Sequence, residues 1–120
     1  MANLYKKGDH DTRPWGTWEV LDGDDNFCVK RIMVLPKGKL SLQLHHHRSE
    51  HWIIAKGEAV VTLGERLINV KADDAVYIPA ETKHRIENKS SAPMEFIEIQ
   101  TGDNLDENDI VRFEDIYGRV

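Results

Sequence analysis

Six histidines occur in this chain of 120 residues, and four of them (His45, His46, His47 and His51) fall within seven positions. A carboxylate, Glu50, stands among them, and a further histidine, His84, lies at a distance. Imidazole nitrogen and carboxylate oxygen are donors that hold divalent first-row metals, so the cluster points first to metal chemistry. The pattern inside it sharpens this. Side chains of a strand alternate faces, so Leu40, Leu42 and Leu44 point one way while Ser41, Gln43, His45 and His47 point the other. A face that only meets water is served by Lys, Glu or Thr. A face of Gln and His suits a small cavity. By the same parity His46 and His51 point away, to the surface or a subunit contact. Glu50 shares its face with Trp52 and Ile54, and His84 follows Pro79 by five residues. A near pair with a remote ligand is how a barrel builds a site across neighbouring strands.

The elements that must position these residues are short. Apolar runs at 27–35, 40–46, 52–55, 59–63, 66–70, 75–78 and 94–100 are separated by turn formers such as Pro36-Lys37-Gly38, Lys56-Gly57, Gly64-Glu65 and Thr101-Gly102-Asp103. Val, Ile, Leu and Phe dominate them, which favours strand. Many short strands at regular spacing predict an antiparallel sandwich or barrel. Only the tail reads as a helix. Ile110, Phe113 and Tyr117 recur at near-helical spacing after the acidic stretch 106–109, which suits a helix N-terminus. Arg13-Pro14-Trp15-Gly16-Thr17-Trp18 reads as a segment packed across the barrel, because two tryptophans are costly to expose.

Length allows one domain, read as residues 1–26 packing on a barrel of 27–102, with a tail of 103–120. The formal charge of −5 argues against nucleic acid, although a local arginine cluster can still take a small anion. No apolar run approaches the roughly 20 residues that span a bilayer, and residues 1–7 lack the apolar stretch of a signal peptide. The single cysteine, Cys28, allows no internal disulfide; it reads as a buried small hydrophobe in a protein of the reducing cytoplasm. The leucine face of 40–44 and the two N-terminal tryptophans offer more apolar area than one small barrel hides, which predicts a homodimer.

Gly38, Gln43-x-His45, Glu50 and Gly57 resemble the first motif of the cupin family, and Pro79-x-Glu81-x2-His84-x3-Asn88 resembles the second. Gln43 stands where the family has its first histidine, and Glu81 where it has a glycine. The resemblance implies an all-β fold, a cupin-type double-stranded β-helix or jelly-roll barrel, here with the short C-terminal helix. It narrows further. Arg13-Pro14-Trp15-Gly16, residues 40–52, Tyr77-Ile78-Pro79 and residues 109–119 are similar to the type II mannose-6-phosphate isomerase domain, usually the C-terminal part of a bifunctional enzyme with mannose-1-phosphate guanylyltransferase activity. The likeness covers roughly residues 13–119 and no nucleotidyltransferase domain, so guanylyltransferase activity is not implied.

The related type I isomerases hold zinc with a glutamine, a glutamate and two histidines. The resemblance therefore implies Gln43, His45, Glu50 and His84 as ligands, with His47 the rival for the place of Gln43. The implied cofactor is one divalent ion, zinc ahead of manganese, iron, cobalt or nickel. The implied reaction interconverts mannose 6-phosphate and fructose 6-phosphate, with a base moving a proton between C2 and C1. His47 and Glu98 qualify as base by type, and Arg48, Arg85 and Arg112 qualify as phosphate ligands. Two other readings compete: a non-catalytic metal- or sugar-binding module, and another cupin metalloenzyme such as an iron-dependent oxygenase.

Overall fold

The apolar runs fold as antiparallel strands. The computed structural model describes residues 4–118. Its strands are β1 (His10–Arg13), β2 (Gly16–Gly23), β3 (Phe27–Val34), β4 (Leu42–Leu44), β5 (Arg48–Lys56), β6 (Glu58–Leu63), β7 (Arg66–Lys71), β8 (Ala75–Ile78), β9 (His84–Glu87), β10 (Met94–Gly102) and β11 (Val111–Glu114). One sheet runs β1-β2-β3-β10-β5-β8 and the other β11-β4-β9-β6-β7, and they face each other across the core. No described residue is helical, and no helix is long and apolar enough to cross a membrane.

Register decides what the first sheet presents to the interior. Ile32, Phe96 and Ile54 form one row across β3, β10 and β5, and all three are buried. The next inward row is Lys30, Glu98 and Trp52; the one after it is Cys28, Gln100 and Glu50. These too are buried. Moving along the strands, the interior thus changes from hydrocarbon to hydrogen-bonding groups. The apolar end is completed by Val34, Ala59, Val61, Val70, Ile86 and Met94. Cys28 sits apart with Val20 and Leu105 in a small cluster of its own, a buried small hydrophobe as expected.

The N-terminal strands extend the first sheet, and Trp15, in the turn between them, is buried. That turn needs Gly16: its φ is +153°, and a Cβ there would collide with the Met33 carbonyl oxygen. Trp18 and Leu40 also pack on the core, so much of the apolar area behind the homodimer expectation is covered within one chain. Asn88, from the second motif, serves structure: its Nδ2 donates to the Val34 and Ala92 carbonyls at 3.1 and 2.8 Å.

The C-terminal helix is not formed. Residues 111–114 instead pair with β4, Val111 opposite Leu44 and Arg112 opposite Gln43. β4 would otherwise be an open sheet edge, and pairing satisfies its backbone groups. The acidic stretch supplies turns rather than a helix start. Asp106 accepts from the Asn108 amide at 2.9 Å, and the Asp109 carboxylate is spent on the loop of His46 and His47. Tyr117 turns back so that its hydroxyl accepts from the Lys39 amide at 3.2 Å.

Candidate metal centre

The polar end of the interior opens into a cavity of about 360 Å³. Its lining joins Ser41, Gln43 and His45 from the β4 segment, Glu50 and Trp52 from β5, His84 from β9 and Glu98 from β10. Gln43 and His84 are direct neighbours across β4 and β9.

His45, Glu50 and His84 are all buried, and one ligand atom from each lies within 4.8 Å of the other two. His45 Nε2 is 3.2 Å from Glu50 Oε2, and His84 Nε2 is 3.8 Å from Glu50 Oε1. Both rings are turned by a backbone carbonyl. His45 Nδ1 lies 2.6 Å from the Asp109 oxygen and His84 Nδ1 2.9 Å from the Thr82 oxygen. A carbonyl can only accept, so each Nδ1 carries a proton and each Nε2 is turned toward Glu50. That is the ring orientation a metal requires. Burial, helped by Arg48, pushes the His45 pKa down to about 4 against the pull of Glu50, so the ring is neutral near pH 7. Two imidazoles and a carboxylate converging in this way can hold a metal ion.

Burial alone would raise the Glu50 pKa, but Arg48, His45 and His84 outweigh it and hold the carboxyl well below the usual range. Arg48 donates to Glu50 Oε2 from Nε at 2.9 Å, and its Nη2 lies 2.8 Å from the same oxygen and 3.1 Å from His45 Nε2. Trp52 Nε1 bridges two carboxylates, donating to Glu50 at 3.0 Å and Glu98 at 3.2 Å. Gln100 Nε2 donates to the other Glu98 oxygen at 2.8 Å. Burial, reinforced by the Glu50 charge, pushes the Glu98 pKa well above the usual carboxylate range.

The alternation read from residues 40–47 holds as far as His45 and then breaks. β4 ends at Leu44 and the chain bends at His46 and His47, where both side chains are exposed. The cause is Asp109, whose two carboxylate oxygens each take one of their amide hydrogens at 2.9 Å. His47 is therefore exposed and outside the cavity lining. His46 pairs with Glu81 at 3.2 Å, and exposed His51 lies on the Tyr77 ring. Gln43 keeps its place in the lining, with Nε2 donating to Ser41 Oγ at 3.0 Å.

The three arginines all border the cavity, but Arg48 and Arg85 are already committed. Arg85 donates to the Leu40 carbonyl and to Glu114, each at 3.0 Å. Arg112 lies on β11 beside Gln43 and is also engaged within the protein. Three lining or supporting residues escaped the sequence reading. Lys30 and Gln100 had a signal, since each occupies an inward parity position in an apolar run. Asp109 had none, because its carbonyl meets His45 across 64 residues.

Comparison with known proteins agrees with this architecture. The profile of the family described as "Mannose-6-phosphate isomerase C-terminal" matches residues 2–115. "Xanthan biosynthesis protein XanB" of Xanthomonas campestris pv. campestris is 50% identical over 108 residues, 90% of this chain and 23% of that protein. "Alginate biosynthesis protein AlgA" of Pseudomonas syringae pv. tomato is 50% identical over 126 residues, 99% of this chain and 26% of that one. The chain thus spans about a quarter of the length of these relatives. A Klebsiella pneumoniae protein with a double-stranded β-helix domain superposes with a TM-score of 0.75 at 18% identity, covering 88% of this chain and 90% of that one. With a cupin barrel, a His-Glu-His cluster inside it and a profile match over nearly its whole length, this chain belongs to the mannose-6-phosphate isomerase C-terminal family.

Proposed function

We propose that the chain is a metal-dependent aldose–ketose isomerase interconverting mannose 6-phosphate and fructose 6-phosphate. One observation carries the reading: a buried carboxylate of raised pKa, Glu98, shares a tryptophan hydrogen bond with a carboxylate of depressed pKa, Glu50, that belongs to the His-Glu-His cluster. Two carboxylates pushed apart in this way divide the labour between a proton carrier and a permanent anion.

The reaction moves one proton between neighbouring carbons and one between their oxygens. No oxidant or reductant is needed. In the forward direction Glu98 takes the C2 proton, the freed electron pair forms the C1–C2 double bond of an enediol, and the same carboxyl returns a proton to C1. Meanwhile the O2 hydroxyl becomes the ketone and O1 gains its hydrogen. A raised pKa suits Glu98 to both halves of that exchange. Trp52 and Gln100 fix its two oxygens, so the carboxyl is oriented before substrate arrives. Glu50 stays ionised through the cycle because Arg48 is paired with it. Gln43 is the fourth ligand of this reading.

A divalent ion held by His45, Glu50, His84 and Gln43 would supply Lewis-acid stabilisation of the charge that builds on the sugar oxygens. Zinc is the first choice for two imidazoles, a carboxylate and an amide, with manganese, iron, cobalt and nickel suited to the same donors. The free thiol of Cys28 and a phosphorylated metabolite both suit the cytoplasm.

The test is conversion of mannose 6-phosphate by chelator-stripped protein, repeated after adding Zn²⁺, Mn²⁺ or Co²⁺. Turnover that returns with metal and is lost in His84→Ala supports the isomerase. Uptake of one ion without turnover under any metal rejects it in favour of a binding module.

A further inference from the structure

The cavity holds one cation, Lys30, whose charge acts on neighbouring Glu98 without a direct ion pair. Lys30 lies on β3 between Cys28 and Ile32, points inward and is 6% exposed. A buried ammonium is costly unless paired, and long basic side chains ordinarily escape to water. Among the described residues Lys30 makes no ion pair. Its Nζ instead sits 3.5 Å from the Tyr5 ring centroid and 4.5 Å from that of Trp18. Those two rings brace each other edge to face at 5.5 Å. Ring faces attract a cation and hold it in place while leaving its three N–H groups for oxygen acceptors. Other cations at the cavity are spoken for: Arg48 by Glu50, Arg85 by Glu114, Arg13 by Asp11, and Arg112 within the fold.

Position matters as much as charge. Lys30, Glu98 and Trp52 occupy one row across three adjacent strands, with Glu50 on the same strand as Trp52 and on the same face. Neighbouring strands stand about 4.8 Å apart, so the β3 ammonium and the β5 carboxylate flank Glu98 from lines roughly 10 Å apart. An extended phosphorylated sugar spans such a gap, with its reacting carbons over the carboxyl between. Two glutamates in the cavity would repel a phosphate dianion, and a fixed ammonium beyond them offsets that repulsion. Lysine offers phosphate a compact point charge with three donors.

We propose that the Lys30 ammonium, clamped by Tyr5 and Trp18, is the phosphate subsite of this cavity, receiving the end of the sugar remote from His45, Glu50 and His84. This rests on the isomerase reading for the identity of the substrate, and on the cavity alone for the anion. Lys30 is then a specificity residue that separates phosphorylated from free sugars. Of the arginines expected from sequence, Arg48 and Arg85 act as internal partners of carboxylates and carbonyls.

The test uses the full chain and two variants, Lys30→Met and Lys30→Gln. Inorganic phosphate is titrated into chelator-stripped protein and followed by two-dimensional NMR. The proposal predicts that phosphate shifts resonances around Lys30 and that both variants bind it at least about tenfold more weakly, the loss expected for a hydrogen bond between charged groups. Melting temperature supplies the readout that a structural lysine would move the other way. Lys30→Met should match or exceed the parent, because an apolar side chain of similar length keeps the Tyr5 and Trp18 contacts without a buried charge. In the metal-loaded protein KM for mannose 6-phosphate should rise about 10- to 100-fold with kcat changed far less, the sign of lost uniform binding. Phosphate affinity unchanged in both variants would overturn the subsite, as would a large fall in melting temperature with affinity retained. Failure of the parent protein to turn over mannose 6-phosphate would remove the isomerase reading while the phosphate titration still decided Lys30.

Discussion

The two ends of the barrel interior are built by the same strands and do opposite things. At one end β3, β5 and β10 contribute Ile32, Val34, Ile54, Met94 and Phe96; at the other the same strands contribute Lys30, Arg48, Glu50, Glu98 and Gln100. Parity places both sets inward, so strand geometry does not distinguish them. Chemistry does. The apolar end provides the hydrophobic drive, at about 25 cal/mol for each Å² of apolar surface removed from water. The polar end gives up part of that drive and must satisfy its buried groups with one another, which ties Arg48, Trp52 and Gln100 to the two glutamates. A fold can thus commit half of one core to stability and the other half to a site.

This division predicts effects of different kinds from equally buried positions. The largest falls on activity. Glu98→Gln keeps the shape of the carboxyl and loses the proton carrier, so turnover should drop about 10²- to 10⁴-fold while ion uptake and melting temperature stay near those of the parent. A steady-state assay beside metal analysis and a thermal melt checks this; a variant with parental turnover removes Glu98 as the base. The same residue sets a pH limb. Because burial and Glu50 raise its pKa, kcat/KM should decline as pH falls through a value above the ordinary carboxylate range, and Glu98→Gln should lose that limb.

At the other end, Phe96→Ala should cost about 3–5 kcal/mol through the cavity it leaves, measurable by urea denaturation. Phe96 meets the site through the Trp52 ring, 4.9 Å between centroids, and is not in the cavity lining, so KM in the surviving folded fraction should hold. If Glu98→Gln were as destabilising as Phe96→Ala, the contrast between the two ends would be lost.

A third effect couples the polar end to pH. His45 has its pKa lowered to about 4 from an ordinary value of 6.5. The unfolded chain therefore takes up a proton at that site below pH 6.5 while the folded chain does not, and stability falls as pH drops from 6.5 toward 4. The loss is on the order of 3 kcal/mol across that window. Chelator-stripped protein unfolded at a series of pH values measures it, and His45→Gln should flatten the curve over the same interval.

The smallest effect concerns Glu81, which adopts φ +66° where the family's motif carries glycine. Its amide donates to the His45 carbonyl at 2.8 Å, so the turn bears directly on a ligand. Glu81→Gly relieves a left-handed side chain and should change stability by no more than about 1 kcal/mol, with metal uptake unchanged. A large loss of uptake would show that the Glu81 contact with His46 matters more than the backbone.

Much of this was legible in the chain itself, for reasons that also explain the failures. Period-two alternation led to His45 and Gln43 on one face, and placed Glu50 with Trp52 and Ile54. It failed two residues later because parity holds only while a strand stays straight, and Asp109 bends the chain at His46 and His47. The tail misled in a related way. Spacings of three and four among Ile110, Phe113 and Tyr117 fit a helix, yet β4 needed a partner, and a sheet edge is not visible in local spacing. Lys30 was readable by parity between Cys28 and Ile32, but a lone lysine in an apolar run carries no signal of its own until Tyr5 and Trp18 close over it.

The most direct measurement is the metal content of the purified chain after chelation and reloading, by mass spectrometry, for the parent, Glu50→Gln and His84→Ala. One ion per parent chain and almost none in either folded variant is the predicted result. Equal ion content in all three would contradict the account, since the buried His45, Glu50 and His84 cluster would then not be what holds the metal.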